Sequence, residues 1–455
     1  MRMKKCIIGI VALLYSFISV NMVFAVANTW TQKADFGGIA RDCPASFSIG
    51  NKGYIGTGQI AKDGQFIYTR EFWEYDPEAD IWTQKADFGG TERLYAVGFS
   101  IGNKGYMGTG EIPHFVNVKD FWEYDPALNT WTQKADFGGG ERNLATGFSI
   151  GSKGYIGTGG VIEGGGKDFW EYDPVTDTWT RKADFGGIER GGAVSFAIGN
   201  KGYLGTGAAI TSEGFVFLKD FWEYDPVTDT WTQKADFGGV SQLGTIWAVG
   251  LSIGSKGYIG TAAVNTGEGF IFSKDFWEYD PVTDTWTQKA DFGGEGRIAA
   301  TGFSIGNKGY IGLGSLLFNN NIFDPTQRTS YNDFWEYAPG NSIFLVPVAD
   351  KSSLWPPNNK MVPVSITANV SSDGPVTLTA QVSCNEPAKR GTDWTEPVIN
   401  QATGVILLSL RATRAGSGTG RVYTITIKAT DANGNFATET VTIVVPHDQG
   451  KKASK

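Results

Sequence analysis

Histidine is almost absent from this chain: among 455 residues only His114 and His447 occur. Two isolated histidines are too few for a multi-histidine zinc, copper or iron site. They also leave no basis for a Ser-His-Asp arrangement, so no metal or other cofactor is expected. Cysteine is nearly as scarce, with Cys6, Cys43 and Cys384 alone. Cys43 and Cys384 are no disulfide framework, and we expect them unpaired. Basic charge is outnumbered, 39 Lys and Arg against 47 Asp and Glu for a net charge of −8. An acidic chain is a poor binder of nucleic acid or anionic membrane through bulk charge. Long apolar runs are missing except for residues 6–24. That run follows Arg2, Lys4 and Lys5 and ends at Ala25-Val26-Ala27, the pattern of a secretory leader cleaved before Asn28. An uncleaved anchor is the rival reading, since the run is just long enough to span. Cys6 opens the run instead of closing it, which speaks against a lipid anchor. The expectation is a secreted or periplasmic protein with no membrane insertion after cleavage.

What the chain has in abundance is glycine, 62 residues, and aromatic side chains, 13%. With 41% apolar residues it has material for real cores, and the mixture predicts an all-β protein. Length predicts two or three domains at about 150 residues each. Internal repetition dominates. A block W-T-(Q/R)-K-A-D-F-G-G begins at Trp30, Trp82, Trp131, Trp179, Trp231 and Trp286. F-W-E-Y has its tryptophan at Trp73, Trp122, Trp170, Trp222, Trp277 and Trp335. K-G-Y-(I/M/L)-G has its tyrosine at Tyr54, Tyr106, Tyr155, Tyr203, Tyr258 and Tyr310. Aromatic and β-branched runs bounded by Gly, Asn and Asp-Pro predict four short antiparallel strands per unit. The first is of the type of residues 96–101; then come GYIGTG, a variable connection, DFWEYDP, and TWTQKADF.

Four strands in about 50 residues is the pattern of a β-propeller blade. The glycine-tyrosine strand followed by Trp-x-Tyr and then Trp resembles the kelch repeat, its paired glycines written here as Gly56-Thr57-Gly58. The resemblance covers residues 28–339 and implies a six-bladed kelch-like propeller. The chain enters with a fourth-strand block (Trp30) and leaves with a third-strand block (Trp335), so the N-terminal strand should complete the last blade and remove both open edges. Strand direction then places the one–two and three–four turns on one face, where they are short and nearly identical. The two–three and four–one connections share the other. Variation concentrates in the two–three connections, residues 59–70, 111–119, 160–167, 208–219, 262–274 and 315–332, so function is expected on that face.

At Pro339-Gly340 the repeat stops and the composition shifts to Val, Thr, Ser and Ala. Strands are predicted over residues 362–370, 376–382, 405–411, 421–430 and 437–445, which suggests an immunoglobulin-like sandwich. The phrase Leu354-Trp355-Pro356-Pro357-Asn358-Asn359 resembles the opening of modules appended to secreted bacterial proteins. The expected organisation is a leader over 1–27, the propeller over 28–340, the sandwich over 341–447 and a mobile tail over 448–455.

After each Asp-Phe-Gly-Gly an arginine usually follows: Arg41, Arg93, Arg142, Arg190 and Arg297, with Gln242 in the fifth unit. Three have a glutamate before them, Glu92, Glu141 and Glu189. One reading is a guanidinium-lined channel mouth that holds carboxylate or sulfate; the other is ion pairing that holds blades together. The loops carrying Phe66 and Tyr68, Phe215 and Phe217, and Phe270 and Phe272 read either as lengthened hairpins packed on one another or as stacking surfaces for a ligand. His114-Phe115 is the one loop histidine. The six F-W-E-Y glutamates should hydrogen-bond within the frame. Asp431-Ala432-Asn433-Gly434-Asn435 resembles the start of a calcium loop, but the twelfth position is Thr442, so a hairpin turn explains it better.

The galactose oxidases, a kelch-like enzyme family, use copper with two histidines and two tyrosines. A single propeller histidine does not carry that activity over. The sialic acid mutarotases are metal-free and share the six-bladed kelch fold, but no catalytic motif of theirs matches here, so that likeness is one of fold. The expected function is non-catalytic recognition of a glycan or an extracytoplasmic protein through the variable face. The alternative is a metal-independent carbohydrate enzyme such as a mutarotase or epimerase, and a purely structural role is the third possibility.

Overall fold

The computed structural model describes residues 28–160, 166–212, 214–239, 244–266, 270–317, 324–339, 343–372, 375–387, 392–414, 420–431 and 436–446. The leader, Gln242, the 432–435 turn, His447 and the tail lie outside the described residues. Within them the chain is all-β apart from one 3-10 turn, Pro325–Gln327.

The repeats fold as successive four-stranded antiparallel sheets, as in a propeller. In the second, Val97–Ile101, Lys104–Gly108, Phe121–Asp125 and Thr130–Lys134 pair in chain order. The fifth sheet gains a short extra strand, Thr245–Ile246. The sixth is Thr301–Ile305, Lys308–Gly312 and Phe334–Ala338, completed by the N-terminal strand Thr29–Lys33. Thr29 stands opposite Ala338 and Lys33 opposite Phe334, the pairing that the order of blocks predicts.

Alternation in the first strand of each sheet explains the packing. In Ala45–Ile49 the residues Ala45, Phe47 and Ile49 are buried while Ser46 and Ser48 are less so. Phe47 presses on Gly105 of the second sheet, where a Cβ would come within 2.2 Å of the ring; only glycine fits there. Phe303 of the sixth sheet occupies Gly53 of the first in the same way. The first strands contact one another in cyclic order, from Ala45–Ile49 through Val97–Ile101, Thr146–Ile150, Val194–Ile198, Val249–Ile253 and Thr301–Ile305 back to Ala45–Ile49.

A second circuit runs around the outside. The fourth-strand tryptophan of each sheet donates its indole N–H to an alanine carbonyl of the preceding sheet: Trp131 to Ala86 at 3.2 Å, Trp179 to Ala135 at 3.1 Å, and Trp82 to Ala34 at 3.2 Å. Trp30 does the same to Ala290 at 3.1 Å. Its ring sits 5.0 Å from each of Phe276, Phe292 and Tyr337. Asp229 accepts from the Ala183 N–H and the Tyr224 hydroxyl. Asn28 accepts likewise from the Ala290 N–H and the Tyr337 hydroxyl, each at 2.9 Å, so the N-terminal segment substitutes for a turn residue of the other units. All six F-W-E-Y glutamates (Glu74, Glu123, Glu171, Glu223, Glu278, Glu336) accept from a second-strand tyrosine hydroxyl of their own sheet. They belong to the frame.

Beyond Ile343 two further antiparallel sheets share one apolar core. One holds Phe344–Ala349, Met361–Ser371, Val405–Arg411 and Val398–Asn400; the other holds Val376–Cys384, Gly420–Asp431 and Phe436–Pro446. Ile366, Ile406, Ile425, Ile427 and Ile443 form its centre. Cys43 and Cys384 are both free thiols.

Candidate functional site

The five arginines are not displayed at a channel mouth: Arg41, Arg93, Arg142, Arg190 and Arg297 are all buried. Arg190 grips Asp220 with both terminal nitrogens at 2.7 Å, gives a third bond to the Thr206 carbonyl at 3.0 Å, and lies 4.7 Å from the Phe185 ring. Arg93 pairs with Asp120, Arg142 with Asp168 and Arg297 with Asp333 in the same bidentate way. The carboxylate comes from the arginine's own sheet and the phenylalanine from the turn that leaves the preceding one, so the guanidinium joins adjacent sheets. Of the two readings of these arginines, the guanidinium-lined mouth is corrected and ion pairing that joins neighbouring sheets is what the geometry shows: these donors are committed to the frame. Glu141 is exposed and 3.8 Å from Lys119, Glu189 is exposed, and Glu92 is half-buried.

In the first unit Glu71 replaces the aspartate and pairs with Arg41. In the other five units the aspartate also accepts the indole N–H of the F-W-E-Y tryptophan, as Asp120 does from Trp122 at 2.7 Å. Trp73 Nε1, by contrast, is buried without a partner among the described residues. Glu71→Asp should restore both contacts and raise stability by about 1 kcal/mol, read as a shift of the urea midpoint at constant slope.

The fifth unit also differs from expectation. The Gly159 N–H bonds the carbonyl of Arg190, and the equivalent Gly207 N–H bonds the carbonyl of Thr245, each at 2.8 Å. Thr245, not Gln242, thus takes the arginine's place on the backbone, because this unit carries three extra residues between Phe237 and Trp247.

Two residues beyond each arginine, or beyond Thr245, the chain turns into the first strand through a positive φ. The residues there are Cys43, Tyr95, Leu144, Gly192, Trp247 and Ala299, with φ from 53° to 63°. They form a ring around the channel end on the hairpin face. The Cys43 N–H bonds the Ala299 carbonyl at 2.9 Å, Tyr95 bonds Cys43 at 3.3 Å, Gly192 bonds Leu144 at 3.0 Å and Trp247 bonds Gly192 at 3.3 Å. These six residues line a cavity of about 130 Å³. It opens onto a channel of about 180 Å³ lined by small residues including Ser46, Thr146, Ser195 and Thr301. A left-handed conformation costs a bulky residue about 1–2 kcal/mol, yet Tyr95, Leu144 and Trp247 hold it. Tyr95 and Trp247 belong to the second and fifth sheets, three steps apart on the six-membered circuit, and so stand on opposite sides of the mouth.

Behind the ring the surroundings are uneven. Asp42, 2% exposed, accepts from Gln59 at 3.4 Å, from Ser315 at 3.3 Å and from the Arg328 guanidinium, while its Oδ1 has no partner among the described residues. Glu111 accepts from the Tyr68 hydroxyl at 3.0 Å and from Asn143 Nδ2 at 2.9 Å. The remaining arc is apolar, with Phe217, Ile246, Ala263, Ile298 and Leu317 in one cluster. Burial pushes the Asp42 carboxyl up, and Arg328 pulls it partly back. Burial first, and then the Asp42 charge, holds the Cys43 thiol well above its ordinary value. Tyr95, hydrogen-bonded to Cys43, is raised in the same way by burial and by the nearby acidic groups.

The variable connections are lengthened hairpins, Gln59–Lys62 with Gln65–Tyr68 and Ala208–Thr211 with Gly214–Phe217 among them. Phe217 is buried and stacks on Phe270 of the neighbouring hairpin at 5.2 Å. Phe66 lies under Arg328 at 4.7 Å, and Phe272 is half-buried. Tyr68 is tied to Glu111. These four residues pack hairpins together. Phe215 and Phe270 remain exposed at 53% and 39%, and Phe115, beside the exposed His114 at a hairpin tip, reaches 75%.

The solved structure of YjhT is similar in fold. It matches with a TM-score of 0.54 at 16% sequence identity, over 69% of this chain and 97% of that one. At this identity the likeness extends to the fold alone. No protein-family profile matches the chain, and no curated protein is similar to it in sequence. Among the described residues no group of three or more His, Cys, Asp or Glu side chains is placed to hold a metal ion. None of their helices is long and apolar enough to cross a membrane.

Proposed function

We propose that the repeats form a six-bladed kelch-like propeller closed by the N-terminal strand and followed by an immunoglobulin-like sandwich. In this reading the protein is exported, to the periplasm or the exterior, and recognises a glycan at the channel mouth on the hairpin face. One observation carries the reading. In a frame whose arginines, aspartates, tryptophans and tyrosines recur almost unchanged, the six equivalent mouth positions hold six different residues. Frames repeat, and ligand sites break symmetry. A cavity walled by Tyr95 and Trp247 and backed by carboxylates suits a sugar, whose apolar face stacks on indole and whose hydroxyls need acceptors.

The test is saturation-transfer NMR on the purified protein with neutral, acidic and amino sugars. Transfer to a sugar is expected, lost in Trp247→Ala and kept in Arg190→Ala. No transfer to any sugar would overturn the glycan reading in favour of a protein partner on the same face. The second reading, a metal-independent mutarotase or epimerase, is favoured by a buried carboxyl, Asp42, one residue from the mouth and near Tyr95, which burial raises above its ordinary value. It expects accelerated anomer exchange in the same tube.

A further inference from the structure

Resting on the reading that the mouth is a glycan site, we propose that its preferred ligand is an amino sugar with a free ammonium group, seated between Tyr95 and Trp247. The arginine pattern suggested an anion, and the structure removes that basis, since all five guanidinium groups are buried and paired. Among the described residues the remaining basic group behind the mouth, Arg328, is 2% exposed, faces Asp42 and is covered by Phe66. Against that one cation stand two carboxylates, Asp42 and Glu111, both buried. Their field reaches the cavity wall, because both carboxylates disfavour ionisation of Cys43 and of Tyr95. A mouth of negative potential attracts a cation and repels an acidic sugar.

The two aromatic walls fit the same ligand. An ammonium over an aromatic face gains from the ring quadrupole, most strongly at tryptophan. Trp247 Nε1 is buried without a partner among the described residues, and so is Asp42 Oδ1 in the shell behind. Asn143 and Tyr68 fix Glu111 before a ligand arrives, so its charge is preorganised.

The probes are glucosamine, N-acetylglucosamine and glucose, titrated calorimetrically into the full-length protein at mildly acidic pH, where the amine is charged. Glucosamine is expected to bind about tenfold more tightly than either neutral sugar. Glu111→Gln should cut that preference about threefold. Equal affinity for all three sugars would overturn the amine preference and leave the mouth reading intact. Binding of none, or binding that survives Trp247→Ala, would overturn the mouth reading as well. If Trp247→Ala does not fold, the ratio of the three affinities in the unaltered protein decides.

Discussion

Replacing Arg190 with alanine is expected to lower the unfolding free energy by about 3 kcal/mol and to leave sugar binding unchanged. The guanidinium is fully buried, makes two bonds to Asp220 and one to Thr206, and lies over Phe185. Its removal strands a carboxylate that is 23% exposed. That residual contact with water keeps the loss near the lower end for a broken buried pair. Trp222 still donates to Asp220 at 2.7 Å, so part of the local order survives. Urea unfolding measures the loss, and ligand titration of the same sample separates frame from site. A stable variant that no longer binds sugar would overturn the assignment of Arg190 to the frame.

The second large effect concerns Trp30. Its contacts match those of Trp179, which packs at 5.0 Å on Phe121 and Tyr172 and at 4.9 Å on Phe137. Either Trp→Ala change should therefore cost about 4 kcal/mol from lost burial and the cavity left behind. The consequences for the chain differ. Trp179 lies in a strand held at both ends by the chain, whereas Trp30 lies in the first described strand and is held in the sixth sheet by pairing. Trp30→Ala should release that strand, leaving Phe334–Ala338 as an open edge prone to association. Limited proteolysis near residues 28–33 and light scattering would register this, with Trp179→Ala as the control. Equal behaviour of the two variants would show that the N-terminal strand adds nothing beyond its local contacts.

Much of the frame was legible because it is written six times. The order of the blocks alone placed Trp30 beside the strand of Trp335, and recurrence marked Glu74 and its equivalents as structural. The sequence left the arginines between two readings for a physical reason: their carboxylate partners lie 26 to 36 residues onward, beyond hairpins of unequal length. No fixed spacing announced the pairing. The signal was the acidic residue before every F-W-E-Y, Asp in five units and Glu71 in the first. The mouth was legible in principle, since Cys43, Tyr95, Leu144 and Gly192 each follow an arginine by two residues and differ while their neighbours agree. Trp247 escaped because the three extra residues ahead of it shift the column. Exposure could not be read at all, and Phe217 and Phe215 share a strand with opposite fates.

Thr29 opposite Ala338 has a mechanical meaning. The chain arrives at the six sheets and departs from them at one corner, through neighbouring antiparallel strands. Tension applied between Asn28 and Pro339 would peel that ladder one bond at a time, without loading its five pairs together. That pairing would yield first, while the other five sheets bear no load until it has opened.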